Sequence, residues 1–133
     1  MDSAEISVRT AGDVVVDITD SVRAFCENRG SGLLHVFAPH ATAGLALMET
    51  GSGSELDLLR LLERVLPRDD RYTHRHGATG HGADHLLRAL VAPFLVLAVA
   101  DGQPTLGTWQ SVVLVDPNRD RPTRSVRLSF LPG

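Results

Sequence analysis

Apolar runs along the chain predict six β-strands and include one further short run, Gly44–Met48. Each run is short, rich in valine, leucine or alanine, and bounded by turn-forming residues, as strands are. The runs are Glu5–Thr10, Asp13–Ile18, Gly32–Ala38, Gly44–Met48, Phe94–Ala100, Ser111–Asp116 and Ser125–Leu131. The first two are expected to pair with each other through a turn at Ala11 and Gly12. Gly32–Ala38 is expected to be buried, and Phe94–Ala100 to be a central strand.

Helical spacing of apolar residues predicts up to three helices. They are expected over Ser21–Asn28, from Ser52 to Pro67, and over His85–Val91. Thr19 or Asp20 can cap the first helix, and Ser52 and Glu55 have the spacing of a capping box at the start of the second. Strands mixed with two or three helices predict an α+β fold with a mostly antiparallel sheet, in a single domain over residues 1–133.

Composition narrows the class of protein. Hydrophobic residues make up 43 % of the 133 residues and charged residues 22 %, which is ordinary for a globular domain. The formal net charge of −3 provides no basic field for nucleic acid or an anionic membrane. No apolar run approaches the ~18 residues of a membrane span, and the N-terminus has no signal pattern. The single cysteine excludes an internal disulfide, so we expect a cytoplasmic protein.

All thirteen basic residues are arginine. A chain without lysine has no side-chain amine for Schiff-base chemistry. Any cationic recognition of an anion must therefore use guanidinium groups, whose planar fork of donors fits phosphate oxygens.

Four of the six histidines fall between Arg71 and His85, in a glycine-rich segment that contributes little to a core. This segment is either a solvated loop or a metal site, because neutral imidazole is a common ligand for zinc and similar ions. His74 and His85 are eleven residues apart, and the arc between them is long enough for the two rings to converge. Spacing alone leaves both alternatives open. His40 is a further candidate because it follows an apolar strand, whereas His35 lies inside that strand and is expected to be structural.

Each of the other candidate residues has both a structural and a functional interpretation. Glu49 ends an apolar run and is either a salt-bridge partner or a general base. Trp109 is either a core anchor or the wall of a pocket, in which Gln110 would offer a donor and an acceptor. The turn that contains Arg119 and Arg124 is either a solvated hairpin or a phosphate clamp.

Taken in order, these motifs resemble the YjbQ family, also called the secondary thiamine-phosphate synthase family. The matching segments are HATAGL from His40, METG with Glu49, VLP ending at Pro67, YTH with Tyr72 and His74, HLL at His85, GQPTLGTWQ from Gly102, and NRDRPTRS from Asn118. Two departures stand out. GATGHGA at residues 77–83 replaces the family's acidic loop, and one family arginine is missing before Ser125.

The resemblance implies a YjbQ-like homotrimer whose sheets pack around a threefold axis, with a site at the subunit boundary. It implies that His40, His74 and His85 hold a divalent metal, with zinc the expected ion, while His35, His76 and His81 are expected to stay outside this set. The family name implies joining of the two halves of thiamine phosphate, an activity that is secondary in the family.

Two functions are compatible with this resemblance. In the first, the protein is a metal-dependent enzyme acting on a small phosphorylated metabolite. Glu49 then moves the proton, Arg119 and Arg124 neutralise the phosphate, and Trp109 and Gln110 line the pocket. In the second, it is a non-catalytic trimeric scaffold or sensor that binds a metal or an anion, with His76 or His81 supplying a fourth ligand.

Overall fold

The structure is a computed structural model and describes residues 1–10, 12–75 and 77–133. The elements in these ranges are β1 (Asp2–Arg9), β2 (Val15–Asp17), α1 (Thr19–Cys26), β3 (Gly32–Phe37), β4 (Gly44–Met48), α2 (Ser54–Val65), α3 (His81–Leu90), β5 (Phe94–Ala100), β6 (Gln103–Pro104), β7 (Ser111–Val115) and β8 (Thr123–Pro132). A five-stranded sheet has the order β1-β8-β3-β5-β6, and a three-stranded sheet has the order β2-β7-β4. All described strand pairs are antiparallel. The predicted α+β fold is confirmed.

Strand β7 separates two hydrophobic cores. Val112 and Leu114 point into the larger core, which the two sheets and α1 enclose. Val113 and Val115 point the other way, into a smaller core with Leu62 of α2 and Leu87 of α3. A strand buried on both faces needs apolar side chains at successive positions, and the sequence VVLV meets that need. Helices α2 and α3 therefore lie on the outer face of the three-stranded sheet.

The expected hairpin between the first two strands is wrong. Strand β1 pairs with β8 along its whole length, whereas β2 pairs with β7 in the other sheet. The reason is that β2 lies between the two cores beside β7, with Val16 packed against the larger core and Val15 against the smaller one, whereas Val8 of β1 packs into the larger core from the other sheet. Ala11, at the expected turn, lies outside the described residues.

Helix α2 starts without the predicted capping box. Its N-cap is Gly53, in the left-handed region with a φ of 93°, so Ser52 cannot cap the helix from that position. The hydroxyl of Ser52 instead donates to Glu49 Oε1 at 3.1 Å. The carboxylate of Glu55 accepts from the backbone N–H of Gly51, at 3.1 and 3.2 Å from its two oxygens.

Strand β5 was expected at the centre of a sheet. It instead lies next to the edge, because the only strand on its outer side in the described residues is the two-residue edge strand β6. Strand β3, expected to be buried, is buried on one face: Leu34 and Val36 point into the larger core, whereas Leu33 points outward. Within residues 1–10, 12–75 and 77–133, no helix is both long and apolar enough to cross a membrane.

Candidate metal centre and arginine cavity

Three imidazoles meet at the start of α3. His81 and His85 are four residues apart on this helix, so they share one face, with ring centroids 4.2 Å apart. His74, from the preceding loop, has its ring centroid 4.7 Å from that of His85. One nitrogen of each ring lies within 4.8 Å of the others, and we call these three residues the histidine cluster.

Gly82 allows the loop to reach the helix. A Cβ at this position would lie 2.5 Å from the carbonyl oxygen of His74 and 2.8 Å from the Cβ of Tyr72. The Tyr72 hydroxyl also donates to the carbonyl of Pro67 at 2.7 Å, which ties the loop to the end of α2. Because Gly82 has no side chain, the backbone of His74 can pack directly against α3.

The histidine cluster fits a divalent cation. Its donor set is nitrogen only, which suits zinc and neighbouring transition metals better than magnesium or calcium. Three protein ligands leave a coordination position for water or a substrate. A cavity of about 460 Å³, lined by Tyr72, Thr73, His74, Gly82, His85 and Leu86, lies beside the cluster and has room for such a ligand. His74 is exposed, whereas His81 and His85 are half-buried.

The first turn of α3 also carries a buried carboxylate, Asp84, which is 1 % exposed. One of its oxygens pairs with Arg68 and the other accepts from the Nδ2 of Asn118 at 2.9 Å. Burial raises the pKa of Asp84, although the contacts with Asn118 and Arg68 act in the opposite direction. Arg68 also crosses Gly80, where a Cβ would lie 2.7 Å from its guanidinium. These contacts fix the rotation of the helix that bears the histidines.

A second cavity, of about 340 Å³, lies beside His40. We call it the arginine cavity; its lining residues are Pro39, His40, Ala41, Thr42, Asn118, Asp120, Arg121 and Arg124. The Nε2 of His40 lies 3.0 Å from both the backbone N and the backbone O of Ser125. Burial lowers the pKa of His40, the hydrogen bond to Ser125 raises it, and the charges of Arg124 and Arg121 lower it further. The net direction is downward, which favours the neutral imidazole of His40.

Arg124 is an anchored cation. It is 7 % exposed, and its Nε donates to Asp116 Oδ2 at 2.6 Å. Its Nη2 donates to the hydroxyl of Thr42 at 3.0 Å. Arg119 does not line the arginine cavity; it lines two other cavities near Asp13, one of which Arg121 also lines. The structure therefore joins Arg121, rather than Arg119, to Arg124 and His40.

The remaining predicted site residues lie apart from the histidine cluster within one chain. Among the described residues, His40 and Glu49 do not belong to the group of ligand-type side chains around His74. Glu49 is exposed at the end of β4. Gln110 Oε1 accepts from the backbone N–H of Gly107 at 2.8 Å and so closes its own loop. Trp109 is 73 % exposed, which excludes the core-anchor alternative.

His81 belongs to the histidine cluster, although the sequence prediction placed it outside the metal set. The available signal was its spacing of four residues from His85, which has meaning only if the helix begins by position 81. The predicted helix began at His85, so this signal was lost. His76, the other proposed fourth ligand, lies outside the described residues. Asn118 and Arg121 carried no signal beyond their place in an arginine-rich turn.

In the part of the chain that the structure describes, two antiparallel sheets and three helices form a small α+β protein, and the histidine cluster at the start of α3 is a candidate metal centre. The chain matches the family model described as "UPF0047 protein YjbQ-like" over residues 4–133, and it belongs to this family. A UPF0047 protein of Mycobacterium tuberculosis is 61 % identical over all of both chains. YugU of Bacillus subtilis is 33 % identical, over 77 % of this chain and 79 % of its own.

Solved structures agree with this membership. A protein from Sulfolobus solfataricus, described as YbjQ-like and of unknown function, has a TM-score of 0.91 at 26 % identity and covers 98 % of this chain and 96 % of its own. A conserved hypothetical protein from Thermus thermophilus has a TM-score of 0.84 at 32 % identity, covering 96 % and 99 % respectively. These relatives support the fold along nearly the whole chain.

Proposed function

We propose that the protein is a metal-dependent enzyme that acts on a small phosphorylated molecule. The observation that carries this proposal is the convergence of His74, His81 and His85, whose ring nitrogens lie within 4.8 Å of one another. These residues would hold a divalent cation, with zinc favoured by the all-nitrogen donor set. When bound, such a cation supplies a Lewis acid and lowers the pKa of a coordinated water.

The residues of this chain provide the surroundings for that chemistry. His81 and His85 are oriented by the helix, and the helix is held by Asp84 through Arg68 and Asn118. Positioning of this kind is the usual role of residues behind metal ligands. Tyr72 and Leu86 line the adjoining cavity and would limit the access of water.

The arginine cavity would receive the phosphate group. Arg121 and Arg124 supply guanidinium donors, and neutral His40 supplies an imidazole beside them. The pairing of Arg124 with Asp116 leaves its Nη2 directed to Thr42, at the wall of this cavity. Arg119 lines different cavities, so the phosphate contact proposed for it passes to Arg121.

The proposed assembly is a homotrimer around a threefold axis, as in the sequence expectation. Its support is the outer face of the five-stranded sheet, where large apolar side chains are about half exposed: Leu33 at 47 %, Phe94 at 49 %, Val96 at 54 % and Leu131 at 54 %. A contiguous exposed apolar face is typical of a protein interface. Assembly would let His40, Glu49, Trp109 and Gln110 of one subunit approach the histidine cluster of a neighbour, with Glu49 as the general base.

Thiamine-phosphate synthase-like chemistry is the specific activity that we propose to test first. A thiazole phosphate combines a phosphate for the arginine cavity with a flat ring that Trp109 can stack against. If the protein binds metal and phosphate but turns over no substrate, it is instead the metal- or anion-binding scaffold or sensor.

The test is metal analysis of single alanine variants. We expect zinc bound by the wild type to be lost in His74→Ala, His81→Ala and His85→Ala, and retained in the matched control His35→Ala, which lies on β3. Loss of zinc in His40→Ala as well would indicate an ion shared between subunits. Unchanged zinc in the three cluster variants would exclude the metal centre.

A further inference from the structure

A continuous set of buried polar contacts joins the histidine cluster to the arginine cavity. Its members are Thr42, Asp84, Asp116, Asn118 and Arg124, each at most 7 % exposed. Buried polar groups are costly unless their partners are in place, so such a network tolerates few arrangements. A change at one end is therefore expected to alter the contacts at the other.

Asn118 is the shared member of this network. Its Nδ2 donates to Asp84 Oδ2 at 2.9 Å. Its Oδ1 accepts from the backbone N–H of Asp120 at 3.0 Å and from Arg124 Nη2 at 3.4 Å. Its backbone N–H donates to Asp116 Oδ1 at 3.1 Å. Both ends of the amide are engaged, which fixes its orientation.

The two ends of the network belong to the two sites. Asp84 lies between His81 and His85 in the sequence of α3, so its contact with Asn118 anchors the turn that carries both imidazoles. Arg124 lines the arginine cavity, and its Nη2 contacts Asn118 on one side and Thr42 on the other. A cation at the histidine cluster acts on the turn that contains Asp84, a phosphate in the arginine cavity acts on Arg124, and Asn118 contacts both Asp84 and Arg124.

We propose that Asn118 couples the two sites, so that a divalent cation at the histidine cluster and a phosphate in the arginine cavity each bind more tightly when the other is present. This proposal rests on the proposed function. A cation that orders the turn around Asp84 also orders Asn118 and Arg124, which lowers the entropy cost of placing the guanidinium on a phosphate. The coupling is reciprocal by thermodynamic linkage.

The experiment measures the affinity for Zn²⁺ by competition with a chelating dye at submicromolar free zinc, with and without inorganic phosphate. Calorimetry of phosphate, with and without zinc, gives the reciprocal ratio. For the wild type we expect each ligand to raise the affinity for the other about five- to tenfold, at the lower end of measured couplings. In Asn118→Ala the ratio is expected to fall below about twofold.

Arg71→Gln is the matched control. It removes an exposed ion pair with Asp69 in the loop before α3 and contacts neither Asp84 nor Asn118, so the ratio should remain that of the wild type. Circular dichroism and thermal melts verify folding. If Asn118→Ala does not fold, Asn118→Ser takes its place, because the shorter hydroxyl cannot reach both Asp84 and Arg124.

Each outcome decides the proposal. A wild-type ratio of one, with both ligands bound, overturns the coupling and leaves the proposed function standing. A full ratio in the Asn118 variant also overturns it, because the phosphate would then act directly on the metal or through space. Failure of zinc and of phosphate to bind at all removes both the coupling and the proposed function.

Discussion

Gly82 lies against the backbone of His74 so closely that a Cβ at Gly82 would be 2.5 Å from the carbonyl oxygen of His74. The neighbouring atom is part of the backbone, so it cannot move aside as a flexible side chain would. The same contact brings the His74 ring to 4.7 Å from that of His85. The geometry of the histidine cluster thus depends on a residue that supplies no ligand.

The substitution Gly82→Ala should weaken zinc binding by about ten- to a hundredfold, the usual cost of disturbing the support of a metal site. The reason is that the loop bearing His74 must withdraw from α3. Overpacking should also lower the free energy of unfolding by about 1–3 kcal/mol. Zinc competition and chemical denaturation measure the two effects.

Ala89→Gly is the control for this prediction. It lies on an exposed part of the same helix and should reduce stability by about 1 kcal/mol through helix propensity alone. Its zinc affinity should match the wild type. Equal zinc affinities for Gly82→Ala and the wild type would show that the close approach does not position His74.

His40 should make the metal-free protein less stable in mild acid. Its pKa is lowered in the folded state, chiefly by burial, whereas an unfolded histidine titrates near ~6.5. The unfolded chain therefore binds more protons as the pH falls below that value, and stability present above it is lost toward the lower folded-state pKa. His40→Gln should show a shallower loss between about pH 7 and pH 5 in chelator-treated samples. Parallel stability curves for the two proteins would contradict this assignment.

Arg121→Gln should weaken phosphate binding about ten- to a hundredfold, because a charge-assisted contact is worth roughly 1.5–3 kcal/mol. Arg121 lines the arginine cavity beside His40 and shares a second cavity with Arg119, whereas Arg119 does not line the arginine cavity. Arg119→Gln removes the same charge from the same turn and is the matched control, with an expected change below about twofold. Calorimetric titration at fixed low salt measures both. A larger loss of phosphate affinity in Arg119→Gln than in Arg121→Gln would place the phosphate at Arg119, as the sequence analysis first predicted.

The sequence best predicted those elements whose position depends on one physical signal, the burial of apolar side chains. Continuous apolar runs located β3, β4 and β7 to within a residue or two, because burial requires apolar side chains there. The predicted hairpin of β1 and β2 was wrong because chain proximity and a glycine cannot show that β1 pairs with β8 and β2 with β7. The choice of strand partners depends on tertiary packing, which the residues around a turn do not reveal.

The candidate site was likewise predictable only in part from the sequence. His74 and His85 could be proposed from spacing, but His81 required knowing where α3 begins. Gly80 and Gly82 weaken the helix propensity of this segment, so the sequence does not predict a helix that begins at His81. Tertiary contacts stabilise the helix there: the guanidinium of Arg68 packs on Gly80, and the backbone of His74 packs on Gly82. The exchange of Arg119 for Arg121 was equally out of reach, since both arginines lie in one irregular turn and only its conformation decides which cavity each faces.

Val96→Glu should dissociate the proposed homotrimer. The side chain of Val96 is 54 % exposed on β5, directly opposite His35 of β3, in an apolar face that includes Phe94. A carboxylate there would have to be desolvated at a subunit interface without a partner, which is unfavourable. We expect light scattering to give about three times the 14.3 kDa chain mass for the wild type and the monomer mass for Val96→Glu. Ala24→Glu adds the same charge on the exposed side of α1 and should remain a trimer. A wild-type monomer would exclude both the assembly and any approach of His40 to a neighbouring histidine cluster, whereas a trimer that survives Val96→Glu would place the interface on another surface.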